Sequence, residues 1–269
     1  MIVFPNAKLN LGLNILRKRA DGYHDLSTVF YPILLSDALE AVDMTSTQVS
    51  FHTHGLPVAG EPENNLVMKA YRLLSRDFSL APLHIRLYKH IPMGSGLGGG
   101  SSDATFMLKL LNERNRLGLS ENELENYATQ LGADCAFFIR NRPMYAEGIG
   151  NIFSPVEVNL AGYGLLVVCP NVFVSTREAF AQVHPALPAT DIREIIRRPV
   201  NEWRDALTND FEQSVFPQYP ALAALKQELY NQGAAYASMS GSGSSIYALF
   251  APNAEIPQWD TTFSFRCRL

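Results

Sequence analysis

The sequence is poor in cysteine, with three among 269 residues: Cys135, Cys169 and Cys267. Their odd number and wide spacing argue against a disulfide framework or a zinc site and indicate a reducing compartment. The N-terminus lacks the charged and then apolar segments of a secretory signal. No run of about 18 apolar residues occurs, so we expect no transmembrane helix. These absences predict a soluble protein of the cytoplasm.

Positive charge is also scarce, since 22 Lys and Arg against 26 Asp and Glu give a net charge of −4. This balance argues against binding to nucleic acid or to an anionic membrane, because phosphate backbones require concentrated Lys and Arg. Hydrophobic residues make up 47% of the chain, enough for a substantial core. The length allows one large domain or two ordinary ones. A shift of composition near residues 153–161 predicts two domains, residues 1–155 and 156–269.

Glycine, by contrast, is concentrated in residues 92–103, where five glycines fall within seven positions. The preceding residues 83–88 alternate apolar and polar, which predicts a strand. Residues 104–117 have helical spacing, and residues 101–103 are all good N-cap types. A flexible linker would lack such patterned elements at both ends. The pattern therefore predicts a strand, a glycine loop and a helix N-terminus that binds phosphate.

Two known phosphate-binding patterns can be compared with this loop. A Walker A loop ends in Gly-Lys-Ser/Thr, and no lysine occurs between Pro92 and Lys109. Residues 94–99 match the Gly-x-Gly-x-x-Gly dinucleotide fingerprint, which also requires an acidic residue about 20 positions on, after a second strand. Glu113 and Glu121 lie on or just past the same predicted helix. Dinucleotide binding therefore remains the weaker alternative.

A second candidate region lies near the N-terminus. Residues 9–15 alternate as a strand does, and Lys8 at its start would, taken alone, be a solvated strand-end lysine. A turn at residues 21–22 precedes Tyr23 and His24. These two side chains are either structural or bind a planar or anionic ligand, and a lone histidine is more often structural.

Three further stretches carry candidate residues. Asn65 precedes residues 66–74 and is expected to cap a helix there. Asp134 lies in the mostly apolar residues 132–138, so it either caps a helix or takes part in chemistry. Residues 237–245 are rich in Gly and Ser but lie between an amphipathic helix and an apolar strand. They are therefore expected to form an ordered loop rather than a linker.

Together, these stretches resemble the motifs of the GHMP kinase superfamily, named for its galacto-, homoserine, mevalonate and phosphomevalonate kinases. The resemblance covers nearly the whole chain. Motif one matches residues 7–11, followed by the Asp-Gly-Tyr-His of residues 21–24. Motif two matches residues 92–102, the catalytic segment residues 132–134, and motif three residues 239–244.

The resemblance implies an α+β, two-domain GHMP kinase fold, with a ribosomal protein S5 domain 2-like N-terminal domain and a ferredoxin-like C-terminal domain. It implies ATP and Mg²⁺ as cofactors and a small-molecule acceptor. Within the superfamily, the chain is most similar to kinases that phosphorylate the 2-hydroxyl of a cytidyl-diphosphate derivative of methylerythritol. That reaction belongs to non-mevalonate isoprenoid synthesis. A monomer or weak homodimer is expected.

The resemblance also implies residue roles. Lys8 and Asp134 would be catalytic, with Asp134 accepting or orienting the hydroxyl proton and Lys8 keeping Asp134 ionised. Ser102 would be a ligand of Mg²⁺. Substrate contacts would come from Asn10, Tyr23, His24, Thr176 and Phe180, with Tyr23 stacking on cytosine and His24 hydrogen bonding to it. ATP-binding residues would be Asn65, Pro92, Met93, Gly94, Ser95, Gly96, Leu97, Gly98, Gly99, Gly100, Ser101 and Ser102.

Two other functions remain possible from the sequence. A different GHMP kinase would share the ATP loop but would lack the pair Tyr23 and His24. A non-enzymatic nucleotide-binding module would keep the glycine loop and would need neither Lys8 nor Asp134.

Overall fold

A computed structural model describes residues 1–44, 48–260 and 263–269. Within these ranges the strands are β1 Ile2–Val3, β2 Asn6–Lys18, β3 His24–Ser36, β4 Ala38–Asp43, β5 Ser50–Gly55, β6 Leu83–Lys89, β7 Met144–Glu147, β8 Ile152–Pro155, β9 Gly164–Cys169, β10 Tyr236–Met239, β11 Ile246–Phe250 and β12 Phe263–Arg268. The helices are α1 Leu66–Ser75, α2 Gly99–Arg114, α3 Glu121–Thr129, α4 Phe137–Arg140, α5 Thr176–Ala181, α6 Ile192–Ile195, α7 Phe211–Val215 and α8 Pro220–Asn231. Short 3₁₀ turns cover Pro62–Asn64 and Val200–Glu202.

These elements form two compact units. Unit 1 contains Met1–Ala7, Pro32–Met93 and Gly98–Arg142, and unit 2 contains Lys8–Tyr31, Gly94–Leu97 and Pro143–Leu269. The units are discontinuous because β3 pairs antiparallel with β7, which brings an early segment to a later one. The two packed units therefore do not correspond to a division of the chain at a single position. The division between residues 155 and 156 stays a prediction about the domains of the family.

Unit 1 is built on a sheet of order β1-β4-β6-β5. The predicted strand is confirmed, because Leu83, Ile85 and Leu87 of β6 are buried on one face. Helices α1 and α2 pack on each other. The predicted cap of α1 is also confirmed, since the Asn65 side chain accepts a hydrogen bond from the backbone N–H of Val67.

The start of α2 differs from the prediction. The helix begins at Gly99, so residues 101–103 lie in its first turn and the prediction that one of them caps it is wrong. The N-cap is Gly98, whose φ of 72° lies in the left-handed region that glycine adopts without strain. The first free N–H groups of α2 therefore come directly from the glycine loop.

Unit 2 contains an antiparallel sheet of order β10-β11-β9-β12 and most of the sheet of order β2-β3-β7-β8. Strand β9 is buried along its whole length. Helix α8 packs on β10 and β11. Strand β12 has no counterpart in the sequence analysis. The prediction of mixed α and β structure is confirmed.

Within the described ranges, no helix is long and apolar enough to cross a membrane.

Candidate active site

Lys8 lies at the start of β2 in unit 2, and its side chain is 3% exposed. Its Nζ donates hydrogen bonds to Oδ1 of Asn10 at 2.6 Å and to the carbonyl oxygen of Gly96 at 3.0 Å. The ammonium also lies 4.9 Å from the centre of the Phe30 ring. The interpretation of Lys8 as a solvated strand-end lysine is wrong. A cation so held is fixed in position and needs little reorganisation to stabilise developing negative charge.

Two glycine-containing loops meet in unit 2, and Ser240 joins them to β2. The Ser240 hydroxyl donates to the carbonyl oxygen of Gly96 at 3.0 Å and accepts from the backbone N–H of Asn10 at 3.3 Å. The backbone N–H of Ser245 donates to the carbonyl oxygen of Ser95 at 3.1 Å. These contacts confirm that residues 237–245 form an ordered part of the unit rather than a linker.

Gly96 shows how closely these loops approach. A Cβ atom at Gly96 would lie 1.9 Å from the carbonyl oxygen of Ser240, so no larger residue fits without moving the backbone. The φ of Gly96 is +79°, which L side chains rarely adopt. This part of the loop therefore requires glycine both for space and for conformation.

His24 and Phe180 form an aromatic stack in unit 2. Their ring centres are 4.9 Å apart with an interplanar angle of 19°. Burial lowers the pKa of His24, and the nearby charge of Lys18 lowers it further, which favours the neutral imidazole. The Tyr23 residue is 62% exposed. The ring that lies on Phe180 in this structure is that of His24.

Thr176 and Phe180 lie four residues apart on α5, which places them on one face of that helix. The Thr176 hydroxyl lies 3.0 Å from the hydroxyl of Ser242. The predicted substrate residues Asn10, Tyr23, His24, Thr176 and Phe180 therefore all belong to unit 2.

Unit 1 contains a cavity of about 150 Å³. Three of the predicted ATP-binding residues, Asn65, Met93 and Gly100, line it together with Leu66 and Lys89. Its lining mixes apolar side chains with polar and charged ones, among them Glu61 and Asn64. Polar groups at fixed positions beside apolar surface are typical of small-molecule sites.

A buried ion cluster that the sequence analysis missed lies beside this cavity. Lys89 donates to Asp37 and, at 2.8 Å, to Oδ2 of Asp103. All three residues are at most 3% exposed. Oδ1 of Asp37 also accepts from the backbone N–H groups of His90 at 2.5 Å and Ile91 at 2.8 Å. The sequence contained a signal for the burial of Lys89, because position 89 continues the alternation of buried positions along β6.

The pKa values of Asp103 and Lys89 are both raised in this cluster. Burial raises the pKa of Asp103 to about 8, although Lys89 acts in the opposite direction. For Lys89, burial lowers the pKa, but the two carboxylates outweigh it and the net shift is upward. The cluster therefore favours a charged Lys89 and a protonated Asp103.

Ser102 lies in the first turn of α2, and its hydroxyl is buried with no hydrogen-bond partner among the described residues. Such an oxygen fits a Mg²⁺ ion, which prefers oxygen ligands and keeps several waters. Among the described residues, no group of three or more His, Cys, Asp and Glu is arranged to hold a metal. A Mg²⁺ ion would therefore take most of its ligands from phosphate and water.

Asp134 lies half-buried in the turn before α4 in unit 1. The N-cap of α4 is Ala136, so the interpretation of Asp134 as a helix cap is wrong. Thr105 of α2 donates to the carbonyl oxygen of Cys135 at 2.8 Å, which fixes the backbone next to Asp134. Burial raises the pKa of the Cys135 thiol to about 11, so this cysteine is no nucleophile.

The remaining predicted ATP-binding residues divide between the units. Pro92, Met93 and residues 98–102 belong to unit 1, and residues 94–97 belong to unit 2. Besides Lys89, the sequence analysis missed the contacts of Ser240 and of Phe211, which lies edge-on to Phe180 at 4.7 Å.

Comparison with known proteins gives consistent results over the whole chain. Residues 65–142 match the family "GHMP kinases N terminal domain" and residues 191–258 match "GHMP kinases C terminal". The chain is 61% identical to the 4-diphosphocytidyl-2-C-methyl-D-erythritol kinase of Bacteroides thetaiotaomicron, with 100% of both chains covered. It is 48% identical to the enzyme of the same name from Porphyromonas gingivalis, over 99% of this chain and 98% of that one.

Two solved structures are also similar to this chain. A crystal structure of 4-(cytidine 5'-diphospho)-2C-methyl-D-erythritol kinase is 30% identical, with a TM-score of 0.80, covering 93% of this chain and 90% of that one. The mevalonate kinase of Methanococcus jannaschii is 15% identical, with a TM-score of 0.73, covering 100% and 98%. At that identity the second likeness shows the fold alone, and it confirms the prediction of a two-domain GHMP kinase fold.

Proposed function

Since the chain belongs to the 4-diphosphocytidyl-2-C-methyl-D-erythritol kinase family of the GHMP kinases, we propose that it transfers the γ-phosphate of ATP to the 2-hydroxyl of 4-diphosphocytidyl-2-C-methyl-D-erythritol. The products are ADP and the 2-phosphate, an intermediate of non-mevalonate isoprenoid synthesis. The observation that carries this proposal is the buried Lys8 ammonium, bonded to both Asn10 and Gly96. It supports a fixed positive charge beside a glycine loop, which phosphoryl transfer requires.

Lys8 and Asp134 are the catalytic residues of this proposal. Asp134 accepts the proton of the acceptor hydroxyl or orients that hydroxyl for attack. Lys8 neutralises the negative charge that develops on the transferred phosphoryl group. Phosphoryl transfer depends mainly on positioning and charge stabilisation, so these two roles need no covalent intermediate.

ATP is held by residues 92–102. The backbone N–H groups of the loop and of the first turn of α2 donate to the phosphates, with the positive end of the helix dipole behind them. The cavity lined by Asn65 and Met93 is the proposed place for the base. Mg²⁺, with Ser102 as one ligand, neutralises phosphate charge when it is bound.

The acceptor is held by residues of unit 2. Tyr23, His24 and Phe180 bind the cytosine, and the observed stack of His24 on Phe180 supports a flat binding surface there. Asn10 and Thr176 supply polar contacts to the rest of the molecule. We expect a monomer or weak homodimer in the cytoplasm, where ATP is supplied.

The test is an assay of the purified chain with ATP, Mg²⁺ and either of two acceptors, 4-diphosphocytidyl-2-C-methyl-D-erythritol or methylerythritol phosphate. Mass spectrometry should detect phosphorylation of the cytidyl compound alone. Asp134→Asn should lower kcat by at least about 10²-fold, the scale of general-base loss, and leave the ATP dissociation constant unchanged.

Each other outcome points to a different function. Phosphorylation of both acceptors identifies a general GHMP sugar-alcohol kinase without a base pocket. ATP binding without turnover identifies a nucleotide-binding module. Normal turnover in the Asp134→Asn variant removes Asp134 from the mechanism.

A further inference from the structure

Four consecutive residues of unit 2, Asn209 to Glu212, each contact a different part of the proposed acceptor site or of the strands that hold it. They comprise an isolated β-bridge residue, Asn209, and the start of α7. Asn209 bridges to Leu13 of β2, because the backbone N–H of Leu13 donates to the carbonyl oxygen of Thr208 and the N–H of Asp210 donates to that of Leu13, both at 2.8 Å.

Asn209 holds the loop that contains Ser240. Its Nδ2 donates to the carbonyl oxygens of Met239 at 2.7 Å and Gly241 at 2.9 Å, on either side of Ser240. Its Oδ1 accepts from the N–H of Phe211 at 3.0 Å. Asn209 is 2% exposed, so all of these bonds are buried and costly to leave unmade.

Glu212 and Asp210 fix the neighbouring strands. Oε1 of Glu212 accepts from the N–H of Met239 at 2.8 Å, which adds a third bond to the start of the same loop. Oδ2 of Asp210 accepts from the N–H of Ile15 in β2 at 2.8 Å. The segment therefore ties the Ser240 loop and the strand of Lys8 and Asn10 to one short piece of backbone.

Phe211 supports the aromatic stack. Its ring lies edge-on to Phe180, with centres 4.7 Å apart and an interplanar angle of 89°. Phe180 also contacts the stacked ring of His24. An edge-to-face partner of this kind restricts the rotation of Phe180, and Phe211 itself is 3% exposed and packed in the core of the unit.

We propose that Asn209–Glu212 is the positioning segment of the acceptor site. Phe211 sets the plane of Phe180 and thereby the surface that binds the base of the acceptor. Asn209, with Glu212, sets the loop whose Ser240 hydroxyl joins Gly96 to Asn10, and thereby the surroundings of Lys8. This inference rests on the proposed function for its kinetic consequences, but its structural consequence for His24 does not.

The first experiment compares Phe211→Leu with wild type. The KM for the acceptor should rise roughly 2- to 12-fold, the factor that corresponds to an edge-to-face aromatic pair, while the KM for ATP stays unchanged. The pKa of His24, measured by NMR titration without substrate, should rise towards its ordinary value, because a mobile Phe180 leaves the imidazole more hydrated.

Phe216→Leu is the matched control, since Phe216 packs against the same core without a ring contact to Phe180. It should change neither KM nor the pKa of His24. If Phe211→Leu does not fold, Phe211→Met keeps an unbranched apolar side chain for the same measurements. Equal changes in both KM values, or an unchanged pKa of His24, would overturn the role of Phe211.

The second experiment uses Asn209→Ser, whose shorter side chain cannot reach both carbonyl groups. Misplacement of the loop should lower kcat between about 10- and 10²-fold and change the acceptor KM less than Phe211→Leu does. Asn112→Ser is the control, because Asn112 likewise bonds two backbone groups, both of Leu119, in unit 1.

The outcomes separate this inference from the proposed function. A wild-type chain that phosphorylates no acceptor contradicts the proposed function, yet the His24 titration still tests the segment. An active wild type in which Asn209→Ser lowers only the Tm, with kcat unchanged, would show that Asn209 is structural and would overturn its positioning role.

Discussion

Asp103 and Asp37 share one lysine in the same buried cluster, but they differ in their other partners. Asp37 accepts two backbone N–H bonds in addition to the bond from Lys89. Asp103 accepts from Lys89, and its Oδ1 has no hydrogen-bond partner within the described residues. Because hydrogen bonds to the charged form stabilise it, the proton retained by the cluster belongs on Asp103.

This assignment predicts how stability changes with pH. In the unfolded chain an aspartate titrates near pH 3.9, whereas burial raises the pKa of Asp103 to about 8 in the folded protein. Between these values the folded state binds more protons, so the contribution of Asp103 to stability is full at low pH and is lost as pH rises to about 8. Asp103→Asn, which cannot ionise, should gain stability relative to wild type as the pH rises from 5 to 8.

Urea denaturation of both proteins at pH 5 and pH 8 measures this difference. Titrating groups outside the cluster are common to both proteins and cancel in the comparison. A constant difference between the two proteins across the range would place the proton elsewhere in the cluster.

Individual residues also show where sequence reasoning failed. Lys8 was expected in solvent because a lysine at the start of a strand usually is, yet it is buried by Asn10 and by Gly96, which is 88 positions away. The Ser240 hydroxyl meets Gly96 across 144 positions. Such contacts form between segments that are distant in the sequence, so the local sequence pattern cannot predict them. Only the resemblance to a family indicated that Lys8 has a function.

At the scale of elements, sequence pattern predicted β6 from its alternating apolar residues and the start of α1 from the Asn65 cap. It failed at the first turn of α2. Ser and Asp are favoured caps, but the left-handed backbone of Gly98 allowed the helix to start earlier. The positive φ of a glycine cannot be read from composition, since glycine adopts both signs with similar ease.

The close approach of the two glycine loops predicts that Gly96→Ala and Gly233→Ala differ sharply. Both glycines have positive φ, but a Cβ at Gly233 meets nothing within 4 Å, whereas at Gly96 it meets the carbonyl oxygen of Ser240 at 1.9 Å. Gly233→Ala should cost only the conformational strain, about 1–2 kcal/mol, and leave kcat unchanged. Gly96→Ala should cost more and abolish turnover, as measured by urea denaturation and kinetics.

Equal losses of stability in the two variants would show that strain alone matters at Gly96. A Cβ at Gly96 would then move the two loops apart without a further loss of stability. In that case the contact between Ser240 and Gly96 would not determine the loop structure.

For the whole molecule, the resemblance of the motifs to those of the GHMP kinases predicted the α+β class and the two-domain family fold. The linear order of the chain gave no sign that residues 8–31 belong with residues 143–269, because pairs such as Thr28 with Ala146 join distant segments. The proposed ATP-binding and acceptor-binding residues also divide between the two units, except for residues 94–97.

This division predicts that each ligand stabilises the protein through its own residues. Either ligand at about 100 times its dissociation constant should stabilise the folded chain by about 2.7 kcal/mol and raise the Tm. Tyr23→Ala changes a residue that is 62% exposed, so the Tm without ligand should stay unchanged. The acceptor should bind this variant roughly 5- to 150-fold more weakly, because a stacked base is worth about 1–3 kcal/mol, and the shift caused by ATP should remain.

Gly98→Val should show the opposite pattern. Valine at a φ of 72° strains the N-cap of α2, and its branched side chain intrudes where the backbone approaches phosphate. The Tm without ligand should fall, the ATP-induced shift should shrink, and the acceptor-induced shift should remain. Four thermal melts per protein, without ligand, with ATP, with acceptor and with both, measure the Tm without ligand and the shift in Tm that each ligand causes. If either variant loses both shifts, the two ligands depend on the same residues, and the assignment of Tyr23 to the acceptor and Gly98 to ATP is wrong.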